Sequence, residues 1–350
     1  MKILVIKLGA IGDVLRTTSI LKGLKEKYKA KIDWLTRENS YEILMNNRLI
    51  DNVFVIEDFK LKEKYDLVIN LDEELEACRT ATEAGKKIVG CYLENNEIKY
   101  TDDSREWFDM GLASRLGKEK ADELKKRNKK TYQGIISGIL GIKQAEIMLS
   151  LDKAELEFAG EFAEKNNIKK KDLVIGLNTG AGKRWQFKRL GEEKTAELAD
   201  RLAKELNAKV ILFGGKDEKV RNMKIKSLAK EKIIDAGCDN SLLEFAALLN
   251  LCNVVVSSDS LALNIALALK KKVVVFFGPT SPTEIEMYGL GKKIVPDLGC
   301  VCCYKRECDI KPNCMMAIKV EDIFNAVKEL KCPERPNVSG TLKTPRGSFQ

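Results

Sequence analysis

The apolar run Ile3-Leu-Val-Ile6 breaks into the loop Lys7-Leu-Gly-Ala-Ile-Gly12, and an amphipathic stretch with helical spacing starts at about Asp13. A short unbroken apolar run of this kind reads as a strand buried on both faces. Followed at once by a glycine loop and a helix, it points to a parallel sheet covered by helices. The glycines at 9 and 12 allow the backbone to approach a ligand, and a helix start favours an anion. Here the chain supplies its own anion, Asp13. That carboxylate is either a cap for the helix or a general base, and spacing alone leaves both open.

The same grammar recurs along the chain. Strand signals at Ile32–Leu35, Val53–Ile56, Leu67–Asn70 and Lys87–Gly90 are separated by helical stretches such as Ser19–Tyr28 and Tyr41–Asn46. The stretch from Trp107 to Leu140 reads as mostly helical and ends near Gly141. Between Ile142 and Lys171 the pattern loosens, and a domain boundary is expected there. A second alternation follows. Strands at Leu173–Leu177, Val210–Phe213, Val254–Val256 and Val273–Phe277 alternate with helices at Glu192–Leu206, Ser241–Leu249 and Leu261–Leu269. The expected organisation is an α/β chain with one domain over residues 1–160 and a second over 170–330. A proline- and glycine-containing tail over 331–350 is expected to be disordered. Ligands of open parallel sheets bind beyond the carboxyl ends of the strands. Four such ends in the second half carry glycine, small or hydroxyl residues, which marks it as the nucleotide side.

Composition removes several chemistries. The 350 residues contain no histidine, so a Ser-His-Asp or Cys-His mechanism and a histidine metal site are excluded. A general base must then be Asp, Glu, Lys, Tyr or Cys. The net charge of +9 is spread mostly along helical faces, with one dense run from Lys118 to Lys130. That run reads as a solvated helix face, or as a surface for anionic lipid or a phosphorylated acceptor. No aromatics interleave with it, which argues against nucleic acid. No apolar run is long enough to span a bilayer, and no signal-peptide pattern precedes the first strand. The expected location is the cytoplasm, with room for peripheral contact at the inner face of the cytoplasmic membrane.

Each candidate site has a plainer alternative. The first loop lacks the third glycine of the dinucleotide fingerprint, and Asp13 would repel a pyrophosphate, so a nicotinamide cofactor is disfavoured. Thr179-Gly-Ala-Gly-Lys183 looks like a phosphate cradle, but Arg184 stands where a magnesium-binding hydroxyl would follow the lysine. Its alternative is an ordinary strand-to-helix turn. Ser257 to Asn264 offers Ser260 and a helix start for phosphate oxygens, or a helix that Asp259 or Ser260 merely caps. Cys300, Cys302, Cys303, Cys308 and Cys314 lie within fifteen residues, but their spacing matches no common metal knuckle. Thiols that pin a loop or respond to redox state are the other options, and no cofactor is expected.

Taken together, these loops resemble glycosyltransferase family nine, the group of the lipopolysaccharide heptosyltransferases. The resemblance rests on Lys7-Leu-Gly-Ala-Ile-Gly-Asp13, Lys183-Arg-Trp185, Leu212-Phe-Gly-Gly215 with Glu218, Ser258-Asp-Ser260 and Phe277-Gly-Pro-Thr-Ser-Pro282. It implies a GT-B fold, two Rossmann-like domains facing across a cleft. It also implies inverting, metal-independent transfer of heptose from ADP-heptose to a lipid-linked or other glycan acceptor. Under it, Asp13 matches the general base, in the acceptor-side loop of Lys7, Gly9 and Gly12. Thr179 and Lys183 match donor-phosphate contacts, Glu218 a ribose contact, and Asp259 and Ser260 the start of a donor-binding motif. The chain departs from that motif at Leu261, where the family has glycine, and at Asn264, where it has histidine. The departures keep a second expectation alive, a non-catalytic nucleotide-sugar-binding protein on the same fold.

Overall fold

A computed structural model describes residues 1–331, apart from the side chains of residues 183 and 184. The expected tail and Cys332 lie outside the described residues.

The first half runs β1 (Lys2–Ile6), α1 (Ile11–Thr17), α2 (Leu21–Tyr28), β2 (Lys31–Thr36), α3 (Glu38–Met45), β3 (Asn52–Val55), β4 (Leu67–Asn70), α4 (Leu75–Ala84), β5 (Ile88–Glu94) and β6 (Glu97–Tyr100). Helices α5 (Arg105–Phe108), α6 (Lys118–Arg127) and α7 (Tyr132–Leu140) follow. The sheet order is β3-β2-β1-β4-β5-β6, parallel except for β6. The antiparallel pair β5–β6 turns at Asn95-Asn96, both at positive φ, the turn geometry that fits the twist of a hairpin. That signal is present in the sequence and was not read from it. The expected helical stretch before Gly141 is three short helices, because Gly111 lies in a turn and Gly117 takes a φ of 80°.

Helix α8 (Lys153–Lys165) occupies the stretch where the sequence pattern loosens. Asp152 and Glu155 form a reciprocal capping box at its start, and it packs on the second half. That half continues with β7 (Val174–Asn178), α9 (Glu192–Leu206), β8 (Lys209–Phe213), α10 (Lys219–Leu228), β9 (Ile233–Asp235), α11 (Leu242–Asn250), β10 (Val254–Ser258), α12 (Leu261–Ala268), β11 (Lys272–Phe276) and β12 (Gly291–Ile294). Helices α13 (Cys314–Ala317) and α14 (Val320–Leu330) close the described chain. The second sheet is parallel throughout, in the order β12-β11-β10-β7-β8-β9.

Two parallel-sheet α/β halves therefore face one another, as the GT-B expectation requires. In each sheet the connections diverge beside a central strand: β1 lies between β2 and β4, and β7 between β8 and β10. The loops at such points leave a crevice for ligands. Ile3, Leu4, Val5 and Ile6 are fully buried, each contributing about 1.5–3 kcal/mol on burial. One apolar cluster runs from Ile3 and Val14 through Leu263 to Val275, so packing of α1 on α12 joins the halves below the crevice.

Candidate functional site

The loop after β1 is fixed from behind by a residue the sequence reading missed. Asp72, just past β4, accepts hydrogen bonds through Oδ2 from the amides of Leu8 (3.0 Å) and Gly9 (2.9 Å) and from Lys7 Nζ (3.1 Å). Lys7 Nζ also donates to the Leu71 carbonyl at 2.7 Å. The Lys7 ammonium is thus turned into the protein and does not line the cleft. Burial would raise the Asp72 pKa, but the charge of Lys7 and the bonds from Lys7, Leu8 and Gly9 outweigh it and hold it low. Asp72 opens the acidic run Asp72-Glu73-Glu74, and nothing in the sequence singles it out from its neighbours for this role.

Asp13 sits in the first turn of α1, whose N-cap is Ala10, and no side-chain capping bond forms there. Its carboxylate lines the cleft with the side chain 41% exposed, and Arg16 Nη2 lies 2.9 Å from Oδ1. Between the two sequence alternatives, a capping hydrogen bond is therefore absent. The Arg16 guanidinium lies 4.0 Å over the Tyr132 ring, and the Tyr132 hydroxyl meets Thr17 Oγ1 at 2.7 Å. Gly12 lies at a close approach between the halves. A Cβ there would stand 2.9 Å from Asn264 Nδ2 and 3.6 Å from Leu261 Cα.

The facing wall starts at α12. Ser260 Oγ lies 2.9 Å from Ser257 Oγ and accepts a 3.3 Å bond from Asn178 Nδ2. Asn264 Nδ2 donates to the Ser260 carbonyl at 3.3 Å. Asp259 is bound by Lys188, whose Nζ is 2.7 Å from Oδ2 and 3.1 Å from the Asp259 carbonyl. Burial would raise the Asp259 pKa, and the attraction of Lys188 holds it below the ordinary value. Lys188 was missed in the sequence because nothing there distinguishes it from the neighbouring basic residues. Lys183 opens the 3-10 turn Lys183–Lys188, and its side chain lies outside the described residues.

Two further expected donor residues part company. Glu218 lines the cleft, accepts from the Gly215 amide at 3.0 Å and pairs with Arg189 at 2.9 Å. Thr179 does not line it. Its hydroxyl is buried and donates to Asn222 Oδ1 (2.6 Å) and the Phe213 carbonyl (3.1 Å). Thr179 is expected as a donor-phosphate contact, and in the structure its hydroxyl is engaged in anchoring the loop.

These walls enclose about 620 Å³, enough for a nucleotide and a sugar. One rim carries Glu284 and Tyr304, whose hydroxyl donates to Glu284 Oε1 at 2.7 Å. Tyr304 belongs to the cysteine-rich segment. It is tied down by its amide to the Pro279 carbonyl (2.7 Å) and by the Cys302 amide to the Gly278 carbonyl (3.0 Å). Cys302 Sγ contacts the Thr280 carbonyl at 3.5 Å, and Cys314 Sγ the Phe187 carbonyl at 3.9 Å. Among the described residues no three of His, Cys, Asp and Glu, Cys300, Cys303 and Cys308 included, form a group able to hold a metal ion. From the other half, Lys125 of α6 places its ammonium 4.7 Å from the Tyr304 ring. Within the basic run Lys120 and Arg127 pair with Glu123, Lys125 with Asp122 and Lys130 with Glu106. A second cavity of about 590 Å³, beside residues 143–150, contains none of the candidate residues. No helix among the described residues is long and apolar enough to cross a membrane.

Residues 59–313 match the family model described as glycosyltransferase family 9 (heptosyltransferase). The chain is 27% identical over 194 residues to lipooligosaccharide heptosyltransferase 2 of Campylobacter jejuni subsp. jejuni serotype O:6, a match covering 51% of this chain and 57% of that protein. The chain thus spans little more than half the length of that relative. It is 26% identical over 362 aligned positions to lipopolysaccharide heptosyltransferase 1 of Campylobacter coli, covering 94% of this chain and 99% of the relative. In fold it is similar to the crystal structure of a family 9 glycosyl transferase from Veillonella parvula DSM 2008. The TM-score is 0.76 at 20% identity, over 94% of this chain and 96% of that one.

Proposed function

The chain belongs to glycosyltransferase family 9, the heptosyltransferases, and from that premise we propose that it transfers a heptose from ADP-heptose to a lipopolysaccharide-core-type acceptor, with inversion and without a metal. The observation that carries this reading is the cleft itself. Asp13 lines one wall, uncapped and partly exposed, and the start of α12 at Ser260 lines the wall opposite. Asp13 takes the proton of the acceptor hydroxyl as that oxygen attacks the anomeric carbon. The leaving nucleoside diphosphate is met by the amides at the start of α12 and by Ser260, and Lys183 is the donor-phosphate contact that the family resemblance implies. Glu218, beside Gly214 and Gly215, accepts from a ribose hydroxyl. Asn264 supplies one amide donor where the family motif has histidine, and Asp259 acts through Lys188 to hold the loop. Gly9 and Gly12 shape the acceptor side, and Thr179 and Lys7 anchor their loops.

The acceptor approaches over the first half, along α6 and the Tyr304 rim. The lysines of that helix that extend beyond its internal ion pairs suit an anionic lipid surface, which places the enzyme at the inner face of the cytoplasmic membrane in this reading.

The experiment is an assay of ADP release from ADP-heptose with lipopolysaccharide-core acceptors, alongside calorimetric binding of ADP, UDP and GDP. Acceptor-dependent ADP release supports the transferase. Leu261 and Asn264, both lining the cleft, favour the second reading of a non-catalytic nucleotide-sugar binder. ADP-sugar binding with no transfer to any acceptor would establish that one instead.

A further inference from the structure

With an ADP-sugar in the cleft, as the reading above requires, we propose that Arg16 is a positioning residue that changes partner during the reaction. It holds the Asp13 carboxylate before transfer and directs its charge to the departing diphosphate afterwards.

Three features of the geometry carry this. First, Arg16 is built in. Its side chain is 13% exposed, its guanidinium lies 4.0 Å over Tyr132, and that ring is buried with its hydroxyl fixed by Thr17. Second, it grips Asp13 through Oδ1 at 2.9 Å, from three residues along the same helix, so the contact is set by α1 itself. Oδ2 is left as the oxygen to receive a proton. Third, Arg16 lines the same cleft as Ser260, and its Nε is buried with no hydrogen-bond partner among the described residues. A buried donor without a partner is costly, so Asp13 alone does not satisfy the guanidinium. Burial is the largest influence and lowers the Arg16 pKa, but the combined attractions of Asp13, Tyr132 and, from the other half, Glu284 and Asp259 outweigh it, and the net shift is upward. Arg16 is thus electrostatically joined to both walls.

The charges move in step. The acceptor O–H bond breaks and its proton goes to Asp13 Oδ2. The acceptor oxygen forms its bond to the anomeric carbon, and the bond from that carbon to the phosphate oxygen breaks, its electron pair leaving on the diphosphate. Asp13 becomes neutral as the diphosphate gains a negative charge. A guanidinium compensated by Asp13 at the start is therefore uncompensated when the new anion appears beside it. A cation held in place between the two walls stabilises such a charge without the reorganisation that water would need.

The test needs no turnover. ADP binding is measured by calorimetry on the full chain for wild type, Asp13→Asn, Arg16→Gln and the double variant, with thermal unfolding as the check on folding. Asp13→Asn mimics the protonated base, and it should bind ADP about fivefold or more tightly than wild type. The gain should vanish when Arg16→Gln is added, and Arg16→Lys, which keeps the charge, should retain part of it. A gain of equal size with and without Arg16, or no gain in Asp13→Asn, overturns the proposal. Wild type that binds no ADP overturns the donor reading on which it rests, which separates the two failures.

Discussion

Lys188 reaches Asp259 from 71 residues away in sequence, with Nζ 2.7 Å from the carboxylate and 3.1 Å from the backbone carbonyl of the same residue. The pair fastens the loop after β7 to the start of α12, the two segments proposed to receive the donor. Lys188 is 8% exposed and Asp259 21%, so either charge left alone would be poorly hydrated. Lys188→Ala should cost about 3 kcal/mol in urea unfolding. It should also weaken ADP binding in calorimetry, because the α12 start loses its tether.

Asp13→Asn should lower transfer by about two to four orders of magnitude in steady-state kinetics, since the acceptor proton loses its destination. ADP should still bind. Unchanged turnover would remove Asp13 as the base.

Gly12→Ala tests the contact between the halves. The new methyl would meet Asn264 Nδ2 at 2.9 Å, and Asn264 would have to give up its bond to the Ser260 carbonyl. A loss of about 1–3 kcal/mol is expected by denaturant unfolding. Adding Asn264→Ala should return at least about 0.5 kcal/mol of it, a coupling read from the double-mutant cycle.

Asp72 predicts a pH window. Its folded pKa is depressed below the ordinary 3.8, so the stability it contributes is present above that value and is lost as pH falls through the lower folded value. Asp72→Asn should be less stable than wild type by about 2–3 kcal/mol at pH 7. The difference should shrink only below about pH 3.8, when urea midpoints of the two proteins are followed down in pH.

Thr179→Val separates an anchoring from a ligand-binding hydroxyl. The Phe213 carbonyl keeps the Thr179 amide as donor, but buried Asn222 Oδ1 loses its partner. A cost of about 1–3 kcal/mol is expected in thermal or urea unfolding. ADP affinity should change by less than about threefold under conditions where the variant is folded, as measured by calorimetry.

Much of the architecture was legible because burial on both faces leaves a plain mark. Ile3–Ile6, Leu67–Ile69 and Val254–Val256 are unbroken apolar runs, and each lies in a strand of the structure. Helix α9 matched its expected bounds of Glu192–Leu206, its alanines and leucines falling on one buried face. Elements that were missed carry weaker patterns. Strand β12 is Gly-Lys-Lys-Ile at a sheet edge, where none of its residues is fully buried and no apolar run is required. Helix α8 buries only Ala159 fully, so its periodicity is faint although its capping box was there to be read.

At the site, local sequence was enough to say which loops stand at strand ends and which of them carry Asp13, Glu218 and Ser260. That follows from local physics, since a strand, its loop and the next helix are contiguous. The absence of histidine removed its chemistry outright. The direction of each side chain came from long-range packing. Thr179 and Lys7 turn inward because Asn222 and Asp72, distant in sequence, offer them buried partners. Lys188 and Arg16 enter the site because Asp259 and the Tyr132 ring are brought beside them by the packing of separate elements. Contacts of that range leave no periodicity in the chain, and so they appear only when separate elements within each half are packed together.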